Sequence, residues 1–309
     1  MKENIPLALL TTFEIGGSAR YLVDVRSEDD IREAIRWAKG KGVQFVVLGG
    51  GSNVLVPDDG LDALVIRLKG NLFSVKDLPA QAGCIVDSWA GTNLLELIRS
   101  CAAQGCGGWE KLAGIPGTIG GAVRGNAGAF GPEIKDFVVK VRAFNSETSE
   151  YRDFVNPDID FSYRHSFFKD HPEWIITRTT IQLYKVKSGE SERLANETIL
   201  EREKRHLQNV RAAGSYFMNP KAPPEIVAMF EKEKGVRSRE GRVPAGWLIE
   251  KAGMKGATVG SAIASLQHPN YIVNQGNATA LDVKTLAGKV RAAVQLQFNI
   301  DLQEEAALL

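Results

Sequence analysis

The chain has 309 residues, 38 basic against 37 acidic, for a formal net charge of +1. So close a balance leaves no electrostatic footprint for nucleic acid or an anionic membrane surface, and no apolar run approaches the roughly 20 residues that span a bilayer. With 44% hydrophobic and 24% charged residues, the composition is globular rather than disordered, and the length suits two or three domains.

The opening residues, MKENIPLALLTTFEIGG, have Lys2 but no long apolar stretch and no small-residue cleavage site, so the protein is expected in the cytoplasm. Residues 11–26, TTFEIGGSARYLVDVR, read as a Gly16-Gly17 turn feeding a strand through Tyr21, Val23 and Val25. Ser27 with Asp30 starts a helix whose apolar face is Ile31, Ala34, Ile35 and Ala38, closed by Gly40 and Gly42. Phe45 to Leu48 reads as a buried strand that stops at Gly49-Gly50-Gly51-Ser52-Asn53; Val54 to Val56, a Pro-Asp-Asp-Gly turn and a strand at Ala63 to Leu68 follow. The glycine turn is a candidate phosphate cradle or a plain glycine hairpin. It is not GxGxxG, no long helix follows, and the Lys-Ser/Thr of a P-loop is missing, so neither a Rossmann dinucleotide site nor a P-loop is expected.

Residues 84–90 read as a strand, and Asn93 with Glu96 as the capping box of a helix carrying Leu94, Leu95, Leu97, Ile98 and Cys101. Then comes GWEKLAGIPGTIGGAVRGNAGAFGP at 108–132, with Gly114, Gly117, Gly120, Gly121, Gly125, Gly128 and Gly131. It has neither helical nor alternating periodicity. Glycine this dense costs backbone entropy and points to a loop wrapping an anion through its amides, with Thr118 and Asn126 as short polar side chains; a tight structural turn is the blander reading. Strands are expected at Val138 to Phe144 and Trp174 to Lys187, and a charged helix over 190–207. Further helices are expected at 224–234, near Pro244, and over 282–295 with Thr279 as cap; the end, VQLQFNIDLQEEAALL, alternates like a strand and then frays. Cys84, Cys101 and Cys106, odd in number and without a CxxC pair, read as reduced, mostly buried thiols, with no metal site expected. The order mixes α and β without a clean βαβ series, which is α+β organisation.

Six stretches, GGGSNVLVPD, GIPGTIGGAVRGNAGAFGPE, YRHS, GSYFMNP, PAGWLIEKAG and NYIVNQGNATA, occur here in the order of one family. Together they resemble the UDP-N-acetylenolpyruvoylglucosamine reductases, flavoenzymes that make UDP-N-acetylmuramic acid for peptidoglycan, over nearly the whole chain. The short spacing between YRHS and GSYFMNP resembles the shorter, second type. The resemblance implies an α+β fold with two FAD-binding subdomains of the vanillyl-alcohol-oxidase/PCMH-like flavoprotein type and a C-terminal α+β substrate-binding domain. The spans expected are 1–69 and 70–200 for the two FAD-binding subdomains, 201–300 for the substrate domain, and 301–309 for a tail carrying Glu305. FAD would be bound by Gly49, Gly50, Gly51, Ser52 and Asn53, and by Ile115, Pro116, Gly117, Thr118, Gly120, Gly121, Asn126, Gly128 and Ala129.

The reaction that the resemblance implies has two halves: NADPH reduces FAD, then hydride reaches C3 of the enolpyruvyl group and a proton reaches C2. Charge gathers at C2 and its carboxylate, which calls for fixed positive charge and a proton donor within about 3 Å. Arg164 matches the position that binds the carboxylate, Ser215 the proton donor, and Glu305 the group that assists Arg164, with Glu304 as the competing register. Read without the family, these are a surface arginine in a turn, a turn serine and a charge near the chain end. Tyr163, Asn219, Gln267, His268 and Asn270 would lie near the UDP-sugar. A small-molecule nucleotide sugar is the only partner expected; the protein is expected to act as a monomer, without nucleic acid or membrane.

Departures from the family pattern are Met218 at a usual lysine, Arg124-Gly125 where a bulkier apolar residue is common, Asn299 at a usual glycine, and a short segment after Glu305. Two other functions stay open on sequence: an FAD-dependent oxidase of a small alcohol or lactone, and a non-catalytic nucleotide-sugar binding protein. No His or Cys in the glycine loops is placed for covalent flavin attachment, which weighs against the oxidase. The presence of Arg164, Ser215 and Glu305 together weighs against a protein that has lost its activity.

Overall fold

A computed structural model describes residues 1–79, 82–187, 189–205 and 209–309. The chain forms two compact units that do not follow its order: one of 1–5, 19–51 and 62–204, the other of 6–18, 52–61 and 205–309.

The first unit opens with β1 (Lys2–Pro6) and β2 (Ser18–Val25). Ser27 then starts α1 (Glu28–Lys41): its hydroxyl accepts from the Asp30 amide while the Asp30 carboxylate accepts from the Ser27 amide, so two orphan donors of the helix start are satisfied. Ile31, Ala34, Ile35 and Ala38 are buried along one face, and Gly42 at φ +64 closes the helix. β3 (Gln44–Leu48) runs parallel to β5 (Leu61–Leu68), in the sheet order β1-β2-β5-β3; β4 (Val54–Leu55), which lies between them in sequence, belongs to the second unit.

A larger antiparallel sheet fills the rest of this unit. Its elements in chain order are β6 (Phe73–Asp77), β7 (Cys84–Trp89), α2 (Leu94–Ala103), β8 (Cys106–Gly107), α3 (Ile119–Arg124), β9 (Val138–Asn145), β10 (Tyr151–Val155), α4 (Phe167–Asp170), β11 (Trp174–Lys185) and α5 (Glu190–Lys204). The strands lie in the order β10-β9-β11-β7-β6, with β8 also on β11. Asn93 caps α2 by accepting from the Glu96 amide, but the Glu96 carboxylate takes a hydrogen bond from Asn71 instead of closing a capping box. The core joins both sheets through Ile31, Leu64, Ile66, Val86, Trp89, Leu97, Val141 and Ile181. The expected helix over 190–207 is present to Lys204; residues 206 and 207 lie outside the described residues.

Two expectations fail here. Cys84 and Cys106 are not free thiols: they form a disulfide. β7 and β8 both pair with β11, Cys84 opposite Leu183 and Cys106 opposite Lys185, so the Cα atoms come to 6.3 Å across 22 residues of sequence. No local spacing rule sees that. Cys101 is a buried thiol as expected, its pKa pushed up to about 12 by burial. The glycine-rich stretch is also not a bare loop, since it contains α3. Thr118 caps that helix, and glycine density hid it because Gly120 packs on the end of β7, where a Cβ would come within 2.8 Å of the Ala90 methyl.

The second unit holds α6 (Pro224–Lys234), α7 (Ala245–Lys251), β12 (Thr258–Val259), β13 (Ala262–Ala264), β14 (Ile272–Asn274), α8 (Ala280–Phe298) and β15 (Ala307–Leu308). β12, β13 and β14 form a three-stranded antiparallel sheet, and α8 contributes Val283, Leu286, Val290 and Val294 to a core with Phe217, Trp247 and Leu248. The expected C-terminal strand is corrected. Val294 and Phe298 are an i, i+4 pair on the buried face of α8, an interval that an alternating reading also accepts. The helix ends at Asn299 with φ +53, a left-handed cap position where glycine is usual and asparagine tolerated. The tail does not fray: β15 pairs in parallel with β4, Ala307 opposite Val54.

Candidate active site

Both glycine-rich segments of the first unit meet. A Cβ on Gly50 would lie 2.5 Å from Gly117 Cα, and one on Gly49 would lie 2.9 Å from Thr118 Oγ1. Backbone thus packs on backbone, a contact that only glycine at position 50 permits. Ile115, Gly117 and Thr118 stay half-exposed beside this contact, while Gly120 and Asn126 are buried. The outcome is a wall of bare backbone suited to dinucleotide phosphates and a flat ring system, which fits FAD. Thr118 and Asn126 also support the wall through their side chains. Thr118 Oγ1 accepts from the Gly121 amide, and Asn126, 0% exposed at φ +42, braces the wall from behind.

That brace leads to Arg164. The Asn126 side-chain amide donates to Ser162 O at 2.7 Å and to the Glu133 carboxylate at 3.0 Å. Ser166 Oγ donates to Arg124 O at 2.8 Å, and Arg164 Nη1 donates to Gly128 O at 3.0 Å. Three residues of the Ser-Tyr-Arg-His-Ser segment are therefore fastened to 124–128. Ser162 and His165 exchange backbone hydrogen bonds, so Tyr163 and Arg164 are the two central residues of a tight turn. Arg164 sits there at φ +58, a position normally given to glycine or asparagine. A bulky residue in that region costs of order 1 kcal/mol or more, and such strain gathers where a side chain has to be aimed. The guanidinium also lies 5.5 Å over the Tyr163 ring.

In the second unit the chain that follows Ser215 pairs with the chain around Glu305. The Glu305 amide donates to Tyr216 O at 2.8 Å, the Met218 amide donates to Gln303 O at 2.9 Å, and Phe217 bridges Glu304. Ser215 is half-buried, and its hydroxyl has no hydrogen-bond partner among the described residues. Of the two glutamates, Glu304 is exposed and accepts a long 3.4 Å contact from the Tyr216 hydroxyl, whereas Glu305 is half-buried. Burial first, and then Glu304, hold that tyrosine's pKa above its ordinary value. Asn53 clasps the tail: its side-chain amide donates to Glu305 O at 3.0 Å and its carbonyl accepts from the Ala307 amide at 3.0 Å.

The expected substrate residues have mixed surroundings. Asn219 Oδ1 accepts from the Ala245 amide at the start of α7, and its carbonyl accepts from Arg242. Gln267 is exposed and held by Ser265. His268 stacks edge-on to Tyr271, its Nδ1 is buried without a hydrogen-bond partner among the described residues, and burial lowers its pKa. Asn270 is buried with both ends of its side chain bonded to Phe217. Tyr163 shares the Arg164 turn. The brace is carried by Glu133 and Ser166, the last residues of the GIPGTIGGAVRGNAGAFGPE and YRHS stretches; the motifs mark their positions, but their partners, up to 42 positions away, come only from the fold.

Residues 19–153 match the family model of the FAD binding domain, and residues 205–309 match that of the C-terminal domain of UDP-N-acetylenolpyruvoylglucosamine reductase. The chain is 35% identical over 308 residues to the UDP-N-acetylenolpyruvoylglucosamine reductase of Solibacter usitatus (strain Ellin6076), covering 99% of this chain and 95% of that protein. It is 33% identical to the protein so named from Synechococcus sp. (strain JA-3-3Ab), covering 100% and 91%. Among solved structures it is similar to the crystal structure of UDP-N-acetylenolpyruvylglucosamine reductase from Thermus caldophilus, with a TM-score of 0.75, 32% identity, and coverage of 99% of this chain and 98% of that one.

Proposed function

The chain belongs to the UDP-N-acetylenolpyruvoylglucosamine reductase family, FAD-dependent oxidoreductases of peptidoglycan synthesis, and we propose that Arg164, Ser215 and Glu305 carry its chemistry on the enolpyruvyl sugar nucleotide. FAD would be held by Gly49 to Asn53 and Ile115 to Ala129, and when bound would supply hydride transfer from NADPH to C3 of the enolpyruvyl group. Arg164 binds the substrate carboxylate through its planar guanidinium and stabilises the charge that develops at C2. Ser215 donates a proton to C2, which is basic enough at that moment to take it from a hydroxyl. Glu305 assists Arg164. Tyr163, Asn219, Gln267 and His268 line the nucleotide-sugar end. The protein works in the cytoplasm as a monomer.

The observation that carries this reading is the backbone pairing of Tyr216 with Glu305, which sets a serine and a carboxylate 90 positions apart on neighbouring strands of chain. No helix among the described residues is long and apolar enough to cross a membrane. The test is a half-reaction experiment on the purified flavoprotein. Ser215→Ala is expected to leave bleaching of the flavin by NADPH intact and to slow its reoxidation by the enolpyruvyl substrate severely. Equal loss of both half-reactions would overturn the role given to Ser215. Rapid reoxidation by oxygen with no effect of the sugar nucleotide would overturn the substrate.

A further inference from the structure

Asn270 is 2% exposed and belongs to no helix or strand. Its side-chain nitrogen donates to Phe217 O at 2.8 Å, and its side-chain oxygen accepts from the Phe217 amide at 3.0 Å. Its own carbonyl accepts from the Tyr216 amide at 2.7 Å. One residue therefore satisfies three backbone groups of the segment that follows Ser215. An asparagine bonded to both the N–H and the C=O of one residue does for that residue what a neighbouring strand does in a sheet.

The segment needs such a neighbour. Gly214 at φ +76 precedes Ser215, and residues 214–218 lie in no regular element; the single bridge from Phe217 to Glu304 holds one side. Glu305 and Gln303 hold that side through Tyr216 O and the Met218 amide. Asn270 holds the other. Its own turn is stiff, since Ser265 Oγ accepts from the amides of Gln267 and His268, and the Tyr271 amide donates to His268 O.

We propose that Asn270 is a positioning residue for proton transfer: its side chain clamps Phe217 and so fixes where the Ser215 hydroxyl stands relative to Glu305. The inference rests on Ser215 as proton donor. It gives Asn270 a task away from the sugar nucleotide, because both ends of its amide are engaged by the backbone. A proton donor has to sit about 3 Å from its acceptor, and a displacement of about 1 Å costs on the order of 10²-fold in rate.

The test is a double-mutant cycle on the FAD-loaded protein with Ser215→Ala, Asn270→Ala and both together. Flavin absorbance follows reduction by NADPH and reoxidation by UDP-N-acetylglucosamine enolpyruvate separately. Asn270→Ala is expected to slow reoxidation by roughly 10²-fold, to leave reduction within about two-fold, and to add less than about three-fold in the Ser215→Ala background, since coupled sites are not additive. Hydrogen exchange, read without turnover, is expected to rise at the Tyr216 and Phe217 amides. Should Asn270→Ala lose its flavin, Asn270→Ser, which keeps a donor and an acceptor, takes its place in the cycle. Equal slowing in both backgrounds, or equal slowing of both half-reactions, would reduce Asn270 to a structural residue and overturn the proposal while Ser215 keeps its role. If Ser215→Ala alone leaves reoxidation unchanged, the proton-donor reading falls and the inference falls with it.

Discussion

Asn126→Ala removes a buried side chain that ties the glycine-rich wall to the Arg164 turn. Three hydrogen bonds go with it: to Ser162 O at 2.7 Å, to Glu133 Oε2 at 3.0 Å, and from the Lys135 amide at 3.3 Å. A neutral bond contributes about 1 kcal/mol and a bond to a charged partner about 2, with the long third bond at the low end. Lys135 Nζ remains 2.8 Å from the Glu133 carboxylate and keeps it compensated, which holds the loss to the lower half of the range for a stranded charge. The backbone adds its own term. At φ +42 asparagine is tolerated and alanine is not, for about 1 kcal/mol more. The expected cost of Asn126→Ala is therefore about 3–4 kcal/mol, and Asn126→Gly recovers about 1 of it. Asn126→Asp costs at least as much as alanine, because it loses the donor and sets a second carboxylate beside Glu133, itself only 8% exposed. Urea unfolding followed by release of flavin fluorescence reads the unit that carries both glycine segments. A loss below about 1 kcal/mol, or alanine and glycine behaving alike, would refute both the brace and its backbone term.

Gly50→Ala sets a methyl 2.5 Å from Gly117 Cα and is expected to yield folded protein stripped of most of its flavin, read from the flavin-to-protein absorbance ratio; full retention would refute the close approach. Alkylation in denaturant followed by intact mass is expected to modify one cysteine, Cys101, before reduction and all three after it, since Cys84 and Cys106 are joined. Burial holds the His268 pKa below its ordinary 6.5, so the unfolded chain binds the proton first. Stability attributable to this group is therefore full above pH 6.5 and falls as pH drops through that value toward the folded one. Thermal melting at several pH values is expected to show that fall, and His268→Gln to flatten it.

Much of the element order was legible because each long element carries its own signal. Ser27 to Asp30 with the face Ile31, Ala34, Ile35 and Ala38 is visible without tertiary context, and α1 forms there. Strands that bury little are silent. β1 has no buried residue and β10 only one, so neither shows alternation. The run ending in Phe298 misled because a five-residue span fits both periods until the helix around it decides. In the site, Arg164, Ser215 and Glu305 could be named only by resemblance; their local sequence reads equally as turn and tail.

The identity of the chain was written in its linear order, since six motifs in sequence with two glycine-rich runs need no folding to be recognised. Composition likewise settled its globular character. Contacts made across long stretches of chain could be decided only by packing. Those are the disulfide 22 residues wide, the Asn126 brace to Ser162, the clasp of Asn53 on Glu305, and Asn270 beside Phe217. Each depends on which strands and turns become neighbours, and a hydrogen bond between residues 36 to 252 positions apart leaves no trace in the local pattern of either partner.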